Sequence, residues 1–310
     1  MTAAEIRTLI LAALALGVAA LLPLTGSGYW LGLGLNIAMF TVLATSWALF
    51  SGPTHYISLA TAAFFGLGTY TVGLGFETLP YWSLVALAGI LGAVLAALVG
   101  LATLRLSGVY FVIFTLGLAE LVRQVITWAQ NMSGQKGLYV LTDITEDHIY
   151  WQLVGLAALV YLVGWLIGRS RLGFALRIIG DDEEVARHSG IDTARAKVLL
   201  FMVPGAVAAI TGAMLAPRYV YIEPALAFTP MLSFQVVIMA LLGGAGRLWG
   251  PLVGVIPFAI LWETISSTFP NQTMLLLGVS FLVIVYVLPK GFVGLIDTVR
   301  RRLANREGWT

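Results

Sequence analysis

Residues 169–197 read R-S-R-L-G-F-A-L-R-I-I-G-D-D-E-E-V-A-R-H-S-G-I-D-T-A-R-A-K, a polar island in a chain that is 59% hydrophobic and 10% charged. The island holds six of the 17 Lys and Arg, at 169, 171, 177, 187, 195 and 197, and five of the 15 Asp and Glu, at 181, 182, 183, 184 and 192. On both sides lie apolar runs. A segment this charged between stretches that apolar is expected to be a large loop leaving a lipid-embedded body, with something in water to meet.

The composition supports that body. With a mean hydropathy of +0.94, the chain has too little polar surface to coat a soluble globule of its size. The apolar runs suit helical spans of about 20 residues, and they lack the alternating pattern of barrel strands about 10 residues long. The fold class expected is therefore all-α, a polytopic helical membrane bundle. Spans are placed near 8–24, 29–50, 57–76, 82–104, 109–130, 150–168, 198–216, 232–245, 250–268 and 273–288, about ten in all. The run Met231 to Ala245 is short for a full crossing and suits a tilted or partly re-entrant helix. Leu9 to Leu22 is apolar, but no small-residue cleavage pattern follows it, so it is read as the first span rather than a cleaved signal. Residues 1–310 are read as a single transmembrane domain with the 169–197 loop inside it.

Sidedness follows from the cations. With the N terminus inside, the inner loops receive Arg7, Arg105, the six of the polar island, Arg247, Lys290, Arg300, Arg301, Arg302 and Arg306, fourteen of the 17. The outer loops receive only Lys136 and Arg218. This asymmetry satisfies the positive-inside rule and places both termini in the cytoplasm. The outer loop from Asn131 to Ile149 carries Asp143, Glu146 and Asp147, and Trp30, Tyr81, Trp82, Trp128, Tyr150 and Trp151 stand near span ends as interfacial aromatics do.

Chemistry-bearing residues are few. Zero cysteine excludes disulfides, thiolate metal sites and cysteine nucleophiles. His55, His148 and His188 fall in three different loops or span ends, none at metal-ligand spacing, so neither a metal nor a cofactor is expected. The glycine-rich G-G-A-G-R-L-W-G-P at Gly243–Pro251 lacks the Lys-Ser or Lys-Thr of a phosphate loop and reads as a tight interhelical connection. Glycines at 66, 68, 73, 75, 89, 92 and 100 read as close-packing positions, and Pro204 and Pro257 as kinks. Glu120 and Arg123, three apart within one span, lie on nearly one helix face and can pair. They read either as a structural ion pair or as a polar element lining a path. Glu263, nearer a span end, reads as structural.

Within the polar island, Glu184-Val185-Ala186-Arg187-His188-Ser189-Gly190 resembles the E-A-A-x-x-x-G motif in the cytoplasmic loop of ABC-importer permeases, with Val185 in place of the first alanine. Its context is similar to the branched-chain amino acid permease family, LivM-like in the order of its segments. So are S-L-A-T-A-A-F-F-G-L-G-T-Y from Ser58, S-G-V-Y-F-V-I-F-T-L-G-L-A-E from Ser107 and L-G-G-A-G-R-L-W-G-P-L-V-G from Leu242. Together the likeness runs from about 50 to 295. Two segments depart from the family pattern: Ala60 and Thr61 replace a usual Gly-His, and only M-S-G-Q-K-G from Met132 stands where an outer T-G-G-x-x-G turn is usual.

The resemblance implies an importer subunit of the bacterial inner membrane that is not itself an enzyme. Its partners would be a second, homologous permease subunit, two ATP-binding cassette ATPase subunits and a periplasmic or extracellular binding protein, with the lipid bilayer around it and no nucleic acid. Glu184, Ala186 and Gly190 would belong to a short coupling helix docked on the ATPase. Arg177, Arg187 and Arg171 would contact that partner or simply hold the loop inside. Branched-chain or other hydrophobic amino acids are the cargo implied. Urea, short amides or aromatic acids remain open, and so does a self-sufficient secondary transporter or channel using Glu120 and Glu263.

Overall fold

The computed structural model describes residues 28–103, 108–134 and 137–273, with Pro23 and isolated positions between 275 and 294. The expected spans at 8–24 and 273–288 lie outside these residues, apart from those isolated positions. The long apolar helices are α1 (Gly28–Thr54), α3 (Tyr81–Thr103), α4 (Val109–Ser133), α5 (Glu146–Arg169), α8 (Thr193–Leu215) and α11 (Gly250–Thr268). A shorter helix, α2 (Thr61–Gly75), follows α1, and α6 (Arg171–Asp181) and α7 (Glu183–His188) fill the polar island. A brief α9 (Pro224–Ala227) precedes α10 (Pro230–Gly243). Among the described residues, seven helical segments are long and apolar enough to cross a bilayer, α9 with α10 counting as one.

Of the about ten spans expected, those at 8–24 and 273–288 fall outside the comparison, and among the rest one run departs from the expectation. The run 57–76 is not one span: the chain is non-helical from His55 to Leu59, and α2 has 15 residues, about 22 Å at 1.5 Å per residue. Hydropathy treats an extended apolar segment and a helical one alike, which is why the run looked continuous. What ends α1 is local, because His55 takes a left-handed backbone (φ 58°) just after Pro53. The freed backbone groups find side chains of other helices. Leu59 N–H donates to Thr115 Oγ1 at 3.0 Å, Ala62 N–H to Ser233 Oγ at 2.9 Å, and the Trp47 indole donates to Ser58 O at 2.8 Å. Irregular backbone among apolar membrane helices is tolerated only where protein satisfies it. The short run at 231–245 is a continuous helix, α10, and α9 precedes it across Phe228 and Thr229, so that the two together reach the 20 residues of a crossing.

The core centres on α8, which packs against α1, α2 and α3. Small residues let the backbones touch: a Cβ on Gly68 of α2 would lie 1.8 Å from Ala209 O, and one on Gly212 of α8 would lie 2.0 Å from Phe65 O. Gly92 of α3 and Gly205 of α8 are locked together in the same way, each Cβ landing within 3 Å of the other helix. In lipid, where apolar burial gives no net drive, such close approach is a main source of helix association. Phe50, Phe64, Phe111 and Phe201 fill the space beside it, all nearly inaccessible.

The loops sort to two ends. At one, His55 Nδ1 lies 3.0 Å from Gly180 O, a Cβ on Gly180 would meet Pro53 O at 1.9 Å, and a Cβ on Gly52 would meet Ala245 O at 2.3 Å. That end therefore gathers the α1–α2 connection, the polar island and the α10–α11 turn. At the other, β1 (Leu138–Tyr139) pairs antiparallel with β2 (Tyr221–Ile222), and Arg218 Nε donates to Glu146 Oε1 at 3.0 Å. This miniature sheet had no signal in the sequence, since two residues per strand leave no alternation to read.

Candidate functional site

The polar island folds by capping. Ser170 Oγ accepts from Gly173 N–H to start α6, Asp182 Oδ1 accepts from the N–H groups of Glu184 and Val185 to start α7, and Asp192 Oδ1 accepts from Arg195 N–H to start α8. Glu183 and Glu184 occupy the first turn of α7 and Arg187 and His188 its last, each complementing the helix dipole. The helix stops at Gly190, whose φ is +80°. Gly190 N–H donates to Arg187 O and Ile191 N–H to Ala186 O, both in the Schellman pattern that needs a left-handed residue at this position. The glycine in the motif is thus a geometric requirement.

The motif residues divide by direction. Ala186 is buried and faces the bundle, whereas Glu184, Val185 and His188 point outward. Arg177 on α6 is also exposed and donates to Gly168 O at 3.3 Å. Beneath these lies α6, which turns Gly173, Leu176 and Ile179 inward against α1.

Four residues that the motif did not mark, Glu183, Lys197, Thr193 and Tyr56, form a polar cluster with Arg187. Glu183 Oε1 accepts from Lys197 Nζ at 2.9 Å, Arg187 Nη2 at 2.9 Å and Thr193 Oγ1 at 3.3 Å, while Glu183 Oε2 accepts from Tyr56 OH at 3.1 Å. The Lys197 ammonium also reaches Tyr56 OH at 3.4 Å and lies 4.8 Å from the centre of that ring. The Lys197 side chain is only 2% exposed, Glu183 24%. Burial works against the Glu183 charge, but the hydrogen bond and charge of Lys197, with Arg187 and Tyr56 behind them, bring its carboxyl below the usual range. Burial, joined by the charge of Glu183, pushes the Tyr56 hydroxyl up to about 12. A lysine abutting the apolar run V-L-L-F, four residues after Thr193 and so on its helix face, was the available signal.

On α4, the expected pairing of Glu120 with Arg123 is present. Arg123 Nε donates to Glu120 Oε2 at 2.8 Å, its Nη2 reaches the other carboxylate oxygen, and Gln124 Nε2 adds a third donor at 2.8 Å. The two side chains remain 45% and 29% exposed, near the middle of a helix whose buried residues are only Phe111, Thr115, Ala119 and Gln130. Glu263 on α11 is half-buried. The three histidines sit apart, His55 on Gly180 O, His148 with Thr145 Oγ1 and His188 with Glu184 O. The Gly243–Pro251 segment is a tight turn, a Cβ on Gly243 meeting Gly250 O at 2.0 Å.

Residues 29–288 match the family described as branched-chain amino acid transport system / permease component. The chain belongs to that permease family. It is 26% identical to the high-affinity branched-chain amino acid transport system permease protein LivM of Salmonella typhimurium, over 90% of this chain and 69% of that protein. LivH of Escherichia coli, a permease of the same high-affinity system, is 29% identical over 48% of each chain. The L-arabinose transport system permease protein AraH of Escherichia coli is 29% identical over 50% of this chain and 51% of its own. No solved structure matches the permease.

Proposed function

We propose that this permease forms, with a second permease subunit, the membrane path of an ATP-driven importer for branched-chain or other hydrophobic amino acids. Two ATPase subunits dock at the end carrying the polar island, and a substrate-binding protein delivers cargo at the other. The observation that carries the reading is the family match across residues 29–288, joined to a capped, outward-facing helix at the motif position. No catalytic set is needed from this subunit, since hydrolysis belongs to the partner.

In this reading Glu184 and Val185 meet the ATPase, Arg187 and Arg177 flank the contact, Ala186 seats α7 on the bundle and Gly190 ends it. A rigid, capped helix transmits displacement where a floppy loop would absorb it. The cation asymmetry puts this end in the cytoplasm, and with it both termini. Crossings at 8–24 and 273–288 bring the seven candidate spans to nine of the about ten that the sequence suggested, with α2 threading the core between them. Glu120 and Arg123 line the path on the uncovered side of α4, because a half-exposed charge pair at that depth is costly against lipid and suited to a hydrated cavity. Cargo is assigned through the binding protein, since the chain's likeness extends to a permease named for arabinose.

The test is reconstitution of the whole complex in proteoliposomes. Glu184→Lys, or Gly190→Pro, which cannot take the +80° backbone angle, should cut ATP-driven uptake tenfold or more while the permease remains inserted. Uptake at the unmodified rate in both variants overturns the assignment of α7.

A further inference from the structure

We infer that the buried Lys197 ammonium is the joint through which displacement of α7 enters the membrane core, gripping α7, α8 and the α1–α2 connection at one point. The inference rests on the reading of α7 as the ATPase contact and adds the means of transmission.

The geometry singles out this joint. α7 has six residues, of which only Ala186 is buried, so apolar packing alone holds it weakly to the bundle. Glu183 supplies the specific tie: its two oxygens reach Lys197 and Thr193 in the first turns of α8 on one side and Tyr56 on the other. Tyr56 lies in the non-helical segment that leads into α2, and its ring stacks edge-on against Phe111 of α4 at 5.4 Å between centres. A pull on Glu183 therefore reaches α8, α2 and α4 together. Of these, α8 and α2 are interlocked further in by Gly68 on Ala209 and Gly212 on Phe65, so they move as one unit. An ammonium with 2% exposure cannot exchange its partners for water without opening the site, which makes the tie stiff under load.

Coupling and mere stabilisation make opposite predictions for one variant. Removing either charge alone strands its partner in a buried place, destabilising the fold whatever the cluster does. Glu183→Gln/Lys197→Met removes both charges while keeping the volumes, so stability should return. In the full reconstituted complex the double variant should melt within a few degrees of the unmodified protein, bind the ATPases and hydrolyse ATP at a comparable rate. Uptake per ATP, measured with the ligand of the binding protein, should fall at least tenfold. If uptake recovers along with stability, Lys197 is only a fold determinant and the inference is overturned.

Glu184→Lys and Gly190→Pro are run in parallel. If both transport normally, the reading of α7 has failed and the inference with it. If either is uncoupled while the double variant transports, only the Lys197 joint is refuted. Should the double variant not assemble, Tyr56→Phe carries the test, because it removes one hydroxyl and no charge. A severalfold loss of uptake per ATP supports the joint, and an unchanged ratio refutes it.

Discussion

Replacing Gly68 by alanine should loosen the bundle at its centre. The new Cβ would stand 1.8 Å from Ala209 O and 2.6 Å from the carbonyl carbon, where carbon atoms in contact sit about 3.5 Å or more apart. To relieve this, α2 and α8 must part locally by roughly 1.5 Å, and even a 0.5–1 Å gap forfeits about a quarter to a half of each dispersion contact along the seam. The seam has a second closure one turn away: Gly212 sits against Phe65 O, and Thr69 Oγ1 donates to Gly212 O at 3.1 Å. Overpacking of this kind costs about 1–3 kcal/mol, and loosening the threonine bond adds about 1 kcal/mol. Against that stands a helix-propensity gain of about 1 kcal/mol for alanine over glycine. The net loss of about 1–3 kcal/mol corresponds to a melting temperature lower by roughly 5 °C for a chain of this length. Thermal unfolding in detergent, followed through the nine tryptophans, measures it. Gly155→Ala on α5, where a Cβ meets nothing within 4 Å, is the control and should not lower the melting point. A Gly68→Ala protein melting within 1 °C of the unmodified one, or a control that falls as far, would refute the reasoning.

Two further outcomes follow from the charged clusters. Glu120→Gln leaves Arg123 unpaired in the membrane, a cost of about 3 kcal/mol that should lower the yield of inserted protein, whereas Glu120→Gln/Arg123→Gln should restore insertion. If the pair lines the path, the double variant still loses most uptake in proteoliposomes; unimpaired uptake would return the pair to a structural role. For Glu183 the carboxyl is depressed, so its contribution is present above the ordinary value of about 4.3 and is lost as pH falls through a still lower one. Tyr56 is shifted the other way, so its contribution is complete below about 10 and lost only as pH rises through about 12. The ratio of uptake to ATP hydrolysed should accordingly be flat from about pH 5.5 to 9. A step centred near neutrality would show that other groups govern the joint.

Bilayer thickness made much of the architecture legible. The span read at 250–268 coincides with α11, those at 29–50, 109–130 and 150–168 fall inside the longer α1, α4 and α5, and those at 82–104 and 198–216 overrun α3 and α8 by one residue, because about 20 apolar residues is a requirement lipid imposes on any sequence. Where the protein, not the lipid, satisfies the backbone, that rule lapses. Ile57 to Ala60 is apolar enough to be read into a span, yet Thr115, far along the chain, accepts from Leu59 N–H and lets it run irregularly. A short helix, α7, stands at the motif with Gly190 after its end, but the motif could not say which acid turns inward. One residue rotates a helix by 100°, so Glu183 meets Lys197 and Glu184 meets solvent. Burial of Lys197 depends on Tyr56, 141 positions away, a separation at which local pattern carries no information.

The hydroxyls of Thr115 and Ser233 also bear on how the chain comes to be built. With 15 residues and a non-helical approach, α2 is too short to settle in a bilayer alone, and a bare amide in hydrocarbon costs several kcal/mol. Its entry is completed only when Leu59 finds Thr115 on α4 and Ala62 finds Ser233 on α10. During synthesis the ribosome must therefore add some 170 residues after Ala62 before the last partner of α2 exists, and until then α2 has to wait at the insertion machinery or at the membrane surface. Biogenesis of this permease is thus non-sequential, an early helix being admitted to the bilayer by a late one.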